Sequence, residues 1–167
     1  RIEAERILSG ADYPDLIQAA TAYLREIPGP RPRRAAVAVA TPVTGDWIQF
    51  TNSPWSFSTE AARQKLGLEQ LLILNDFTAL ALALPLLGPD ERRPVGGGTA
   101  AAEAPIGLIG PGTGLGVSGL VWSGQRWIPL DTEGGHVTFS AHDEREWAIG
   151  RILRRRFDHV SPERLLS

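Results

Sequence analysis

The 167-residue chain contains 43% hydrophobic and 22% charged residues, which are ordinary values for a globular protein. Its net charge of -2 argues against a nucleic-acid partner, because neutralising a phosphate backbone needs a clustered positive surface. The absence of cysteine excludes disulfides, a cysteine-based zinc site and a thiol nucleophile. No apolar run approaches the roughly 20 residues that cross a bilayer, so a soluble cytoplasmic protein without a membrane partner is expected.

The N-terminal part of the chain alternates strand and helix signals. Residues 2–8 alternate imperfectly between apolar and polar side chains, which predicts a strand. Apolar residues at helical spacing over 16–27 predict a helix with one packed face. The apolar run 35–40 is typical of a strand buried on both sides of a sheet. Ser58 is a predicted N-cap for a helix over 59–66. This order indicates an α/β fold.

A polar corner follows the next strand signal. Residues 68–74 have the apolar pattern of another buried strand, and Asn75 and Asp76 stand directly before an Ala/Leu-rich helix signal. In open α/β sheets, ligands bind at the carboxyl ends of the strands, where such a corner would lie. Asn and Asp are also preferred at helix starts, so these residues alone leave a helix cap and a functional carboxylate equally open.

The composition changes between residues 88 and 104, where Gly, Pro, Ala and Arg dominate. We interpret 88–104 as a connector with a short strand around Val95, and as the domain boundary. Residues 1–87 then form a small α/β domain that is incomplete at its N-terminus. Residues 105–167 begin a larger α+β domain, incomplete at its C-terminus, in which strands joined by glycine turns precede a helix over about 143–157.

Glycines alternate through the segment 110–116, directly after an apolar strand signal. Such a backbone turns tightly and approaches a ligand closely, with amides able to point at phosphate oxygens. The spacing fits neither the G-x-G-x-x-G nor the G-x-x-x-x-G-K pattern, so a dinucleotide site and a P-loop are disfavoured. A tight hairpin also uses glycine. Four glycines with Thr113 exceed what a hairpin needs, so phosphate contact is the favoured interpretation.

Glu133 and His136 flank two adjacent glycines, which predicts a shaped loop that holds an acid and an imidazole close together. A loop histidine is more often structural than catalytic, so this pair is weak evidence by itself. Three scattered histidines without a His-x-x-x-His pair do not form a zinc ligand set, and no G-x-S-x-G motif occurs. No metal ligand is therefore assigned in this chain.

Taken together, five segments resemble the bacterial ATP-dependent glucokinase family, within the hexokinase and actin-like ATPase superfamily. They follow one another along almost the entire chain, at 44–47, 75–79, 110–116, 133–137 and 159–167. The resemblance implies a partial ribonuclease H-like (actin-like ATPase) α/β fold. It also implies an ATP-dependent hexose kinase that converts glucose and ATP to glucose 6-phosphate and ADP, with Mg²⁺ as the cofactor.

The resemblance assigns a role to each matching residue. Asp76 corresponds to the catalytic base that takes the proton of the sugar 6-hydroxyl. The sugar-binding residues that it implies are Asn75, Asp76, Glu133, His136 and Glu163. The nucleotide phosphate-binding residues that it implies are Gly112, Thr113 and Gly114. Pyranose hydroxyls both donate and accept hydrogen bonds, so amide, carboxylate and imidazole groups suit them.

Two parts of the family pattern do not occur in these residues. One is the Asp-x-Gly-Gly-Thr-Asn phosphate hairpin that helps to hold Mg²⁺ and ATP, and the other is the adenosine-binding part. We therefore expect the chain alone to be inactive. The alternative is a kinase-related sugar-binding regulatory protein without catalysis. For the glucokinase interpretation, a homodimer is the assembly considered. The residues alone do not separate glucose from other hexoses.

Overall fold

We analysed the protein as a computed structural model, which describes residues 3–51, 53–112 and 114–167. Within these ranges the chain forms five α-helices and seven β-strands, arranged in three small sheets. Contacts between Cα atoms divide it into two compact units, 1–76 and 77–167. Of the helices in the described ranges, none is long and apolar enough to span a membrane.

The first unit has two pairs of strands and two helices. In chain order they are α1 (Leu16–Glu26), β1 (Arg34–Val39), β2 (Trp47–Gln49), β3 (Ser56–Ser58), α2 (Thr59–Lys65) and β4 (Gln70–Asn75). β1 and β4 are parallel, whereas β2 and β3 are antiparallel. The predicted N-cap is confirmed, because the Ser58 hydroxyl oxygen accepts a hydrogen bond from the Ala61 N–H at 3.1 Å.

The core of the first unit lies on one side of the β1–β4 pair. Its buried side chains are Val39, Ile48, Phe57, Ala62 and Ile73, with Leu16 and Ile17 of α1 packed against them. On the other side, Ala36, Ala38 and Leu72 are exposed. The expectation that 35–40 is buried on both sides is therefore wrong for this chain. Alternate side chains of a strand point to opposite faces, and the described residues cover one face.

The strand predicted for 2–8 is also wrong, since its described part, residues 3–8, contains no strand. Ala4 has a φ of +53°, which belongs to the left-handed region and interrupts an extended backbone. The Tyr23 hydroxyl donates a hydrogen bond to the Ala4 carbonyl oxygen at 3.0 Å. This carbonyl group is therefore paired with a side chain of α1.

Asp46 connects the turn-rich segment before β2 to the start of α2. Its carbonyl oxygen accepts a hydrogen bond from the Thr59 N–H at 2.8 Å, and its carboxylate accepts one from the Glu60 N–H at 2.9 Å. Hydrogen bonds from the Ser58 side chain and from the Glu60 amide lower the pKa of the Asp46 carboxyl. These bonds satisfy helix N–H groups that have no partner within α2.

The second unit combines an antiparallel sheet with short helices. Its elements are α3 (Asp76–Ala83), which begins on the last residue of the first unit, β5 (Ile106–Pro111), β6 (Leu115–Trp122), β7 (Trp127–Leu130), α4 (Glu144–Arg154) and α5 (Pro162–Leu166). The sheet order is β5-β6-β7. The predicted hairpin between β6 and β7 is confirmed, with Gly124 at a φ of +89° in its turn.

The segment 88–104 is described throughout and contains one 3-10 helix, Pro89–Glu91. The short strand expected around Val95 is wrong. Val95 is 94% exposed, and no strand of the described residues pairs with it. The domain boundaries at 87 and 105 stay a prediction.

Candidate functional site

Asn75 and Asp76 lie where β4 ends and α3 begins, which confirms the predicted strand-to-helix corner. The parallel register places Asn75 opposite Val39, at the carboxyl ends of β1 and β4. The Asn75 side-chain amide donates a hydrogen bond to the Thr41 carbonyl oxygen at 3.5 Å. The Thr41 hydroxyl in turn donates a hydrogen bond to the Gln49 carbonyl oxygen at 2.9 Å, which ties the segment after β1 to β2. The segment after β1 therefore provides one hydrogen-bond partner of the Asn75 side chain.

The ring of Phe77 occupies the space in front of two glycines of the β5–β6 hairpin. Gly110 and Gly116 are opposite each other in the antiparallel register. A Cβ atom at Gly110 would lie 2.6 Å from Cζ of Phe77, and one at Gly116 would overlap the same ring. Both positions therefore need glycine for packing, and neither is among the phosphate-binding residues predicted from the sequence.

The remaining two glycines lie at the tip of this hairpin. Gly112 is exposed, and apart from its chain neighbours no heavy atom of the described residues lies within 4 Å of a Cβ placed on it. Its N–H donates a hydrogen bond to the Gly114 carbonyl oxygen at 2.8 Å, so this amide is paired within the turn. A Cβ at Gly114 would lie 2.8 Å from the carboxyl carbon of Glu163. Thr113 lies outside the described residues.

His136 lies between two carboxylates. Its Nδ1 is 3.1 Å from Oε2 of Glu133, and its Nε2 is 3.4 Å from Oε1 of Glu163. The side chains of His136 and Glu133 are more than half exposed, whereas that of Glu163 is 30% exposed. Carboxylate oxygens accept hydrogen bonds, and an imidazole nitrogen donates or accepts according to its tautomer. The cluster therefore offers several hydrogen-bonding atoms to a polar ligand.

The loop carrying Glu133 and His136 packs directly on strand β6. It contains a 3-10 helix, Gly134–His136. A Cβ at Gly135 would overlap the Leu115 carbonyl oxygen, and one at Gly134 would lie 2.8 Å from a methyl group of Val117. Gly135 thus allows backbone to approach backbone and Gly134 makes room for the Val117 side chain, which fixes the loop beside the hairpin.

Within the second unit, the structure brings together Gly114, Glu133, His136 and Glu163 among the residues predicted from the sequence. Sequence reasoning missed Phe77, although a single aromatic residue next to the polar corner was visible. It also missed Asp131, whose carboxylate accepts a hydrogen bond from the buried Thr78 hydroxyl at 2.5 Å. In the described ranges, no group of three His, Asp or Glu side chains is placed to hold a metal ion.

The model of the family described as Glucokinase matches residues 1–167. The chain belongs to the glucokinase family. A glucokinase from Aromatoleum aromaticum is 53% identical over 165 residues, covering 97% of this chain and 49% of that relative. The bifunctional protein glk from Burkholderia lata is 51% identical over 162 residues, covering 97% of this chain and 25% of that relative. The resemblance predicted from the five segments is confirmed.

A solved glucokinase from an Antarctic psychrotroph is similar to this chain in structure. It matches with a TM-score of 0.81 and 35% sequence identity, over 94% of this chain and 49% of that structure. The expected fold class, a partial ribonuclease H-like (actin-like ATPase) α/β fold, is confirmed. This member of the glucokinase family spans about a quarter to a half of the length of the curated relatives it matches.

Proposed function

We propose that the full-length protein is a glucokinase, which transfers the γ-phosphoryl group of ATP to the 6-hydroxyl of glucose. The observation that carries the proposal is the His136 imidazole between the carboxylates of Glu133 and Glu163, beside the hairpin tip at Gly114. Membership of the glucokinase family supports it. The 167 residues alone are proposed to be inactive, because they cover at most 49% of the relatives described above.

The sugar-binding residues in this proposal are Asn75, Asp76, Glu133, His136 and Glu163. Each hydroxyl of a pyranose donates one hydrogen bond and accepts others, so carboxylates and an imidazole satisfy both functions. A hexose with one inverted hydroxyl would leave a polar group of the site without its partner once water is excluded. In this proposal, such complementarity is what would separate glucose from other hexoses.

Asp76 is the proposed catalytic base. Its carboxylate accepts the proton of the 6-hydroxyl while O6 forms a bond to the γ-phosphorus of ATP. The bond between the γ-phosphorus and the bridging oxygen breaks, and ADP leaves with that oxygen. Phosphoryl transfer needs mainly positioning and charge stabilisation, so one oriented carboxylate is sufficient as the protein's acid-base group.

Gly112, Thr113 and Gly114 are the proposed contacts of the nucleotide phosphates. The open space in front of Gly112 supports this role, because a phosphate group can approach the backbone there. The family also implies Mg²⁺, for which the described residues provide no three-ligand group. A cytoplasmic location and a homodimer stay predictions.

The proposal is tested by Asp76→Asn in the full-length protein. Because asparagine cannot take the 6-hydroxyl proton, turnover should fall by about two to four orders of magnitude, while glucose binding stays largely intact. A coupled assay of glucose 6-phosphate formation measures turnover, and calorimetry measures the glucose Kd. The control is Asp90→Asn, which changes an exposed aspartate in the 3-10 helix of the segment 88–104.

Two outcomes would contradict the proposal. Unchanged turnover in Asp76→Asn would remove Asp76 from the mechanism. Wild-type protein that binds glucose with no turnover would instead favour the alternative, a kinase-related sugar-binding regulatory protein.

A further inference from the structure

Gly114 contacts Glu163 so closely that the position has no room for a side chain. A Cβ atom there would lie 2.8 Å from both Cγ and the carboxyl carbon of Glu163, and 3.1 Å from Oε1. The Glu163 side chain is therefore the reason for a glycine at this position.

The backbone that carries Glu163 is fixed on both sides. The buried Ser161 caps α5 by accepting a hydrogen bond from the Arg164 N–H at 3.3 Å. The guanidinium carbon of Arg164 lies 4.3 Å from the centre of the Phe157 ring, in a cation–π contact. The clash caused by a methyl group at position 114 would therefore be relieved by rotation of the Glu163 side chain, which is the mobile part of this contact.

That rotation would change the surroundings of His136. Oε1 of Glu163 is the atom that lies 3.4 Å from Nε2 of the imidazole, and it is also 3.1 Å from the position of the added Cβ. The carboxylate cannot keep its place beside His136 and also make room for a methyl group. The space left by glycine at the hairpin tip thus determines where one carboxylate of the cluster lies.

We propose that Gly114 is a positioning residue of the hexose site, which holds the Glu163 carboxylate beside His136. This inference rests on the proposed function, in which Glu163 binds a sugar hydroxyl. It gives the hairpin tip a second role besides phosphate contact. A substitution in a nucleotide-binding element should then weaken the binding of the sugar.

The test is Gly114→Ala in the full-length protein. Losing a hydrogen bond to a charged group should raise the glucose Kd and KM about 10-fold, while the KM for ATP changes less than about 2-fold. The matched control is Gly107→Ala on β5, which should behave as wild type. Gly107 is exposed, and apart from its chain neighbours no described residue has a heavy atom within 4 Å of its added Cβ. A rise in the KM for ATP alone would overturn the proposal.

A double-mutant cycle with Glu163→Ala separates the contact from a general disturbance of the hairpin. Without the carboxylate, Gly114→Ala should raise the glucose Kd no further, and the same rise in both backgrounds would overturn the proposal. Wild-type protein without glucose binding would overturn both this inference and the proposed function. Glucose binding that is equal in wild type and Gly114→Ala would overturn this inference alone.

Discussion

His136 is the residue on which the proposed sugar site depends most, because it separates two carboxylates. In His136→Ala, Glu133 and Glu163 lose the group between them, and like charges repel. We expect the KM for glucose to rise about 10-fold or more, as for a lost hydrogen bond to a charged group, with a smaller change in kcat. Steady-state kinetics of the full-length protein measure both constants.

The control for this substitution is His142→Ala, which changes an exposed histidine just before α4. Equal KM values for the two variants would show that the imidazole of His136 contributes nothing specific to sugar binding.

The residue types at 133, 136 and 163 were visible in the sequence. Their mutual distances were not, because Glu163 reaches His136 from a separate helix.

The β5–β6 hairpin and α3 form one packed element through Phe77. In Gly116→Ala the added methyl group would overlap the Phe77 ring, whereas Gly107→Ala on the same hairpin meets open space. Overpacking of this kind costs about 1–3 kcal/mol. We therefore expect Gly116→Ala to lower the urea midpoint of unfolding, with Gly107→Ala close to wild type.

A second comparison identifies the ring as the cause. In a Phe77→Ala background the ring is absent, so Gly116→Ala should lower the stability less than it does in wild type. An equal loss of stability in the two backgrounds would mean that the Phe77 ring is not the reason for glycine at position 116.

This packing could not be predicted from the sequence, because Phe77 and Gly116 are distant along the chain. Periodicity detects only neighbours within one helix or strand.

For the whole molecule, local patterns predicted α1 to α4 and the strands β1 and β4, but they also predicted strands at 2–8 and around Val95 that the described residues do not form. The combination of five motifs predicted the family. Local patterns did not reveal which face of a strand is covered. Ala36 and Leu72 look like core residues in the sequence, yet both are exposed in this chain. Burial depends on which elements pack against a strand, and these lie elsewhere in the sequence.

The long connector leads to a prediction about the whole chain. Residues 89–103 are all exposed, and only the 3-10 helix Pro89–Glu91 is regular there. Proteases need such an exposed, extendable segment. Trypsin should cut between Arg92 and Arg93 before it cuts at Arg63 of α2 or Arg151 of α4. Electrophoresis and mass spectrometry of timed digests measure this order, and Arg92→Gln with Arg93→Gln should remove the site.

The two products should nevertheless stay together under native conditions. α3 precedes the cut, yet its Phe77 ring lies against Gly110 and Gly116 of the hairpin that follows the cut. The Thr78 hydroxyl also donates to the Asp131 carboxylate at 2.5 Å, which adds a charge-assisted hydrogen bond between the products. Size-exclusion chromatography should therefore show one peak with both fragments. Separate peaks would mean that residues 88–104 divide the chain into independent domains, whereas one peak would mean that α3 belongs structurally with the residues after the connector.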